Sequence, residues 1–108
     1  MKVSMVDARR RLESPRKELP GEQLLLYTFL KCLGELLPDE ATPAEFLDTA
    51  NRAVKMAMFE RSTGLNLETI KLFAPLTQER IGALAEHFVS PEFGRAVAAE
   101  RDRVLRQS

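Results

Sequence analysis

From Gly21 to Pro38 the chain reads GEQLLLYTFLKCLGELLP, and this stretch constrains the fold more than any other. On a helix its polar residues Thr28, Lys31 and Glu35 form one narrow stripe, and almost everything else is Leu, Phe, Tyr or Cys. A helix that is apolar over most of its circumference has to be covered on most sides. The pattern predicts a helix over 21–37, stopped by Pro38, that is either the centre of a bundle or part of an oligomer seam. Its longest apolar run, Leu24 to Leu30, is far shorter than the ~20 residues a membrane span needs.

The partners of such a helix are readable from start and stop signals. Thr42 is an N-cap, Pro43 suits the first helical position, and Glu45 completes a T-x-x-E capping box. That helix is expected from Pro43 to about Ser62, with Gly64 as its left-handed stop. Its main apolar face is Phe46, Leu47, Ala50, Ala53, Val54, Ala57 and Met58. A short helix is expected from Leu67 to about Phe73, capped by Asn66, with Leu65 stapled onto Ile70. Another should run from Gln78 to Phe88, capped by Thr77, with Leu76 stapled onto Ile81 and a core face of Ile81, Leu84, Ala85 and Phe88. A last helix starts at Pro91 after the cap Ser90 and runs to about Arg106. Its face of Phe93, Ala96, Val97 and Val104 is weaker because Glu100 interrupts it. No segment alternates like a strand. The class is all-α: a compact bundle of five helices, or six with a short one at Ser4 to Glu13, where Met5, Ala8 and Leu12 recur at helical spacing.

Composition fits one domain. Apolar residues make up 44% of the 108 and charged residues 30%. Residues 1–20, with RRRLESPRKELP broken by Pro15 and Pro20, read as a flexible basic and polar arm ahead of a single helical domain at 21–108. The N-terminus MKVSMVDARRRLE has no apolar run of signal-peptide length, so a cytoplasmic location is expected. The single cysteine, Cys32, has no partner for an internal disulfide and reads as a small buried hydrophobe.

Catalytic signals are poor. His87 is the only histidine, no H-x-x-x-H or D-x-D spacing offers a metal cage, and the glycines form no phosphate loop. The expectation is a protein that is not an enzyme, with no cofactor, no metal, no small-molecule ligand and no membrane contact. Its partners are another protein, a second copy of itself, or nucleic acid.

Met56 and Phe59 lie roughly opposite the main face of their helix. One reading is a capping contact, with Leu65 after the Gly64 stop packing back on Phe59. The other is a face covered by a second chain. With Leu25, Tyr27 and Phe29 on the apolar helix, Met56 and Phe59 form the candidate protein interface.

Net charge is zero, from 16 basic and 16 acidic residues. The middle of the chain is acidic and both ends are mildly basic, so DNA contact falls to the ends. The candidates are Arg9, Arg10, Arg11, Arg16 and Lys17 on the arm and Arg95, Arg103 and Arg106 on the last helix. These are interleaved with Glu and Asp, which also fits solvated surface. Residues 66–88 can be read as a helix-turn-helix, but the second helix would present only Gln78, Glu79, Arg80 and Ala83.

Residues 52–86, RAVKMAMFERSTGLNLETIKLFAPLTQERIGALAE, resemble the middle of FlhD, the bacterial flagellar master-regulator subunit family. The matching positions are Ala53 or Ala57, Met58, Phe59, Arg61, Gly64, Glu68, Leu76, Thr77, Leu84 and Ala85, about a third of the chain. GELLPDEATPAEF is longer than the family's connection, and the family's polar and Phe-rich continuation after Ala85 is absent. Cys32 does not match the family's cysteine. The resemblance implies an intertwined helical homodimer that regulates transcription with a second subunit, and it assigns Met58 and Phe59 to packing. Three functions follow as expectations: a regulator or adaptor acting through helical protein contacts, a DNA-binding regulator using the arm and last helix, or a secretion-type chaperone.

Overall fold

The computed structural model describes residues 1–13, 21–60 and 79–107. Among them are five helices and one two-stranded ribbon. In chain order these are β1 (Val3–Ser4), α1 (Val6–Leu12), α2 (Gly21–Leu36), β2 (Glu40–Ala41), α3 (Pro43–Glu60), α4 (79–88) and α5 (Pro91–Arg106). The fold is all-α. The ribbon is antiparallel, with Val3 opposite Ala41 and Ser4 opposite Glu40. Strands of two residues carry no alternation, so the sequence pattern could not announce them.

α2 supplies a large part of the core. Leu25, Phe29 and Leu33 are fully buried, and Leu30, Cys32 and Leu37 nearly so. α3 covers one side of it and α1 another. Thr28, expected on the polar stripe with Lys31 and Glu35, is instead buried. Its hydroxyl donates to the Leu24 carbonyl oxygen at 2.9 Å, which meets the requirement that a buried polar group find a partner. Thr49 on α3 does the same with Glu45, at 2.8 Å.

α3 starts where the capping box places it. The Glu45 amide donates to Thr42 Oγ1 at 3.1 Å and the Thr42 amide donates to Glu45 Oε1 at 3.0 Å. The first effect on the Glu45 carboxyl is that backbone donor, followed by the threonine side chain, and together they hold it below its ordinary range. Six of the seven residues on the expected face are buried, and Met58 packs partly buried against the core. Phe46 meets Phe93 of α5 edge to face, with ring centroids 5.5 Å apart, a favoured aromatic geometry.

α5 begins at the expected cap: the Phe93 amide donates to Ser90 Oγ at 3.1 Å, with Pro91 in the first turn. It packs through its first half. Phe93, Gly94 and Val97 are buried, whereas Val104 and Leu105 are exposed. α4 and α5 cross at backbone contact. A Cβ on Gly94 would fall 2.6 Å from Glu86 Cβ and 2.8 Å from the Glu86 backbone, and one on Gly82 would fall 2.9 Å from Ala98 Cβ.

Residues 1–13 depart from the expected loose arm. Met5, Ala8 and Leu12 are buried in the same core as α2 and α3. The Met5 amide donates to the Asp39 carbonyl oxygen at 2.7 Å. The short helix offered at Ser4 to Glu13 is α1, Val6–Leu12. Three apolar anchors at helical spacing, burying roughly 1.5–3 kcal/mol each for the two large ones, dock the segment instead. Residues 14–20 lie outside the described residues, as do Asn66, the expected 67–73 helix, Thr77 and the Gly64 stop.

Candidate functional site

The outer end of α3 is built by a mismatch between periodicity and partners. Its inner face faces α2 and α5, which leaves positions 48, 52, 55, 56, 59 and 60 exposed. The first of these positions are charged: Asp48 and Arg52 approach to 3.5 Å at i, i+4 spacing, both well exposed. Such a pair contributes little to stability. Toward the helix end the charges give way to Met56, 37% exposed, and Phe59, 83% exposed. Lys55 and Glu60 flank them. An apolar centre with a charged rim is the usual anatomy of a protein contact surface.

The other interface candidates divide. Leu25 and Phe29 are at 0% exposure and belong to the core, so they leave the interface set. Their phase on α2 points them between the neighbouring helices. Tyr27 is half-buried, and the exposed leucine of α2 is Leu26, at 41%. Val104 and Leu105 at the end of α5 are exposed apolar residues that the sequence did not single out. The interruption at Glu100 was the signal for them, since it ends the packed part of that helix.

The basic candidates are largely engaged within the chain. Arg9 donates through Nη1 to Asp39 Oδ1 at 2.7 Å and to the Leu37 carbonyl oxygen at 3.3 Å. Arg11 donates to the Phe88 carbonyl oxygen at 3.4 Å, with its guanidinium 5.6 Å from the Phe88 ring centroid. Arg10 lies 3.8 Å from Asp7, and both are exposed. Arg103 is paired with Glu100; its hydrogen bond holds the Glu100 carboxyl below its ordinary range and raises the guanidinium. Arg106 Nε donates to the Asp102 carbonyl oxygen at 3.2 Å. Arg95 is exposed on α5, and Arg16 and Lys17 lie outside the described residues. These bonds tie α1 to Leu37, Asp39 and Phe88, whereas those of Arg103 and Arg106 stay within α5.

His87 is exposed, with its ring against Phe88 at 4.9 Å, and Cys32 is buried in α2. Among the described residues no group of three or more His, Cys, Asp or Glu side chains could hold a metal ion. None of the described helices is long and apolar enough to cross a membrane. Of the family-matched positions, Met58 is partly buried against the core and Phe59 is exposed.

No family model, curated protein or solved structure matches the chain.

Proposed function

We propose that this protein is a small non-enzymatic regulator or adaptor that acts through helical protein–protein contacts, with transcriptional regulation as its setting. The observation that carries the reading is the outer end of α3, where a phenylalanine 83% exposed stands beside an exposed methionine within a charged rim. Phe and Met are among the residues enriched at the core of such interfaces. The FlhD resemblance supports the transcriptional setting, and it points to a homodimer working with a second subunit in the cytoplasm. A secretion-type chaperone would use the same surface and differ only in its partner.

The test is capture on tagged full-length protein from the source cell after nuclease treatment, beside Phe59→Glu and Met56→Glu. The expected result is one stoichiometric protein partner that survives nuclease and is lost with either variant. Retention of nucleic acid alone, weakened by Arg10→Glu with Arg95→Glu, would move the function to DNA binding. Charge reversal is the right probe there, because residues 1–13 hold core side chains and their deletion would remove part of the fold.

A further inference from the structure

The charges at the outer end of α3 are placed where the helix itself cannot pair them. Side chains of one helix meet at i, i+3 and i, i+4 spacing. Asp48 and Arg52 use that spacing and approach to 3.5 Å. Lys55 and Glu60 do not. The position four after Lys55 is Phe59, and the position four before Glu60 is Met56. No residue three or four positions from either carries the opposite charge. Both are exposed, and among the described residues neither is in an ion pair. The two exposed apolar side chains thus occupy the places where partners for the two charges would stand.

The same spacing sets the shape of the face. Counting from Lys55 at about 100° per residue, Phe59 lies near 40°, Met56 near 100° and Glu60 near 140°. A base borders the apolar pair on one side and an acid on the other. Residues 51, 55 and 59 form one i, i+4 ridge and residues 52, 56 and 60 the next. The groove between two such ridges takes a ridge of another helix. A second copy of this face would bring only another methionine and phenylalanine, a small part of the roughly 800 Å² per partner that a stable interface buries. The occupant has to supply an apolar row of its own.

We propose that the groove between Met56 and Phe59 takes an amphipathic helix of another protein, with an acidic side chain on one border against Lys55 and a basic one on the other against Glu60. This rests on the interface reading of α3 and adds the chemistry of the partner. Met56 and Phe59 supply the contact, and Lys55 and Glu60 select. Charges at the rim of an interface act on encounter and on the rejection of wrong partners. A helix with one sign on both borders meets a like charge at one of them.

The test uses three synthetic helical peptides with the same row of leucines. One has a Glu border and a Lys border, one has Glu on both, and one has Lys on both. Each is titrated onto the full-length protein at low salt and followed by fluorescence anisotropy. The mixed peptide should bind about threefold tighter than either of the others, the size expected of an exposed ion pair. Lys55→Glu should shift the preference to the all-Lys peptide, and Glu60→Lys should shift it to the all-Glu peptide. These differences should close at about 1 M salt, and Phe59→Glu should abolish binding of all three. Equal binding of the three peptides, lost with Phe59→Glu, overturns the charge selection and leaves the interface reading standing. Binding of none overturns the helical occupant, while a captured protein lost with Phe59→Glu would still uphold the interface. A protein that dimerises alone, and becomes monomeric with Phe59→Glu, makes a second copy the occupant and overturns the proposal.

Discussion

Phe46 and Phe59 are the same residue on the same helix, yet one is 0% exposed and the other 83%. Phe46 lies under α5 against the Phe93 ring. Phe59 lies on the side of α3 that the described core does not use. The difference separates two roles for apolar surface that composition alone would merge. The inner face of α3 determines how the helices stack. The outer end carries an aromatic that is exposed and outside the buried core, and that exposure motivates the interface reading.

The comparison can be broken at its strong side first. Phe46→Ala should cost about 3–5 kcal/mol and Met5→Ala about 2–5 kcal/mol, read by denaturant unfolding, if both fill the core. A loss under 1 kcal/mol for Met5→Ala would return residues 1–13 to a loose arm. Gly94→Ala should cost about 1–3 kcal/mol, because its Cβ would press on the Glu86 backbone, which cannot rotate away. Thr42→Ala should cost about 1 kcal/mol through the lost cap.

The capping box also gives an acid limb. The Glu45 carboxyl is held below its ordinary value near 4.5 by the Thr42 backbone donor and then by its hydroxyl. A lowered folded value means that this contribution is present above the unfolded value and is lost as pH falls through the folded one. Stability should therefore decline below about pH 4.5, and Glu45→Gln should flatten that decline in unfolding curves taken between pH 3 and pH 6. The smallest effect is expected at the outer end of α3, where Phe59→Glu should change stability by no more than about 0.5 kcal/mol.

The pattern of what was legible has physical causes. Caps are local, so T-x-x-E at Thr42 and Ser90 before Pro91 located two helix starts from the sequence. The face of α3 was legible because its apolar residues follow one helical period, and helix boundaries followed Pro38 and Pro91. Thr28 was misplaced because a hydroxyl bonded to its own helix can be buried without showing it in a polarity pattern. Leu25 and Phe29 were misassigned because an almost uniformly apolar helix gives no phase, so the exposed Leu26 could not be told from its buried neighbours. That Arg9 and Arg11 bond to backbone carbonyls 28 and 77 residues away is not legible, because nothing local in the sequence reveals such partners. Met56 and Phe59 were legible as candidates because they break the period of a helix whose other face was clear.

The central claim is that the outer end of α3 is dispensable for the fold and kept for contact. Thermal unfolding of the wild-type protein beside Phe59→Glu and Phe46→Ala tests it most directly. The account predicts that Phe59→Glu melts within about 4 °C of wild type while Phe46→Ala falls by more than about 12 °C. A Phe59→Glu protein that melts as low as Phe46→Ala would contradict it and place Phe59 among the residues that hold the fold together.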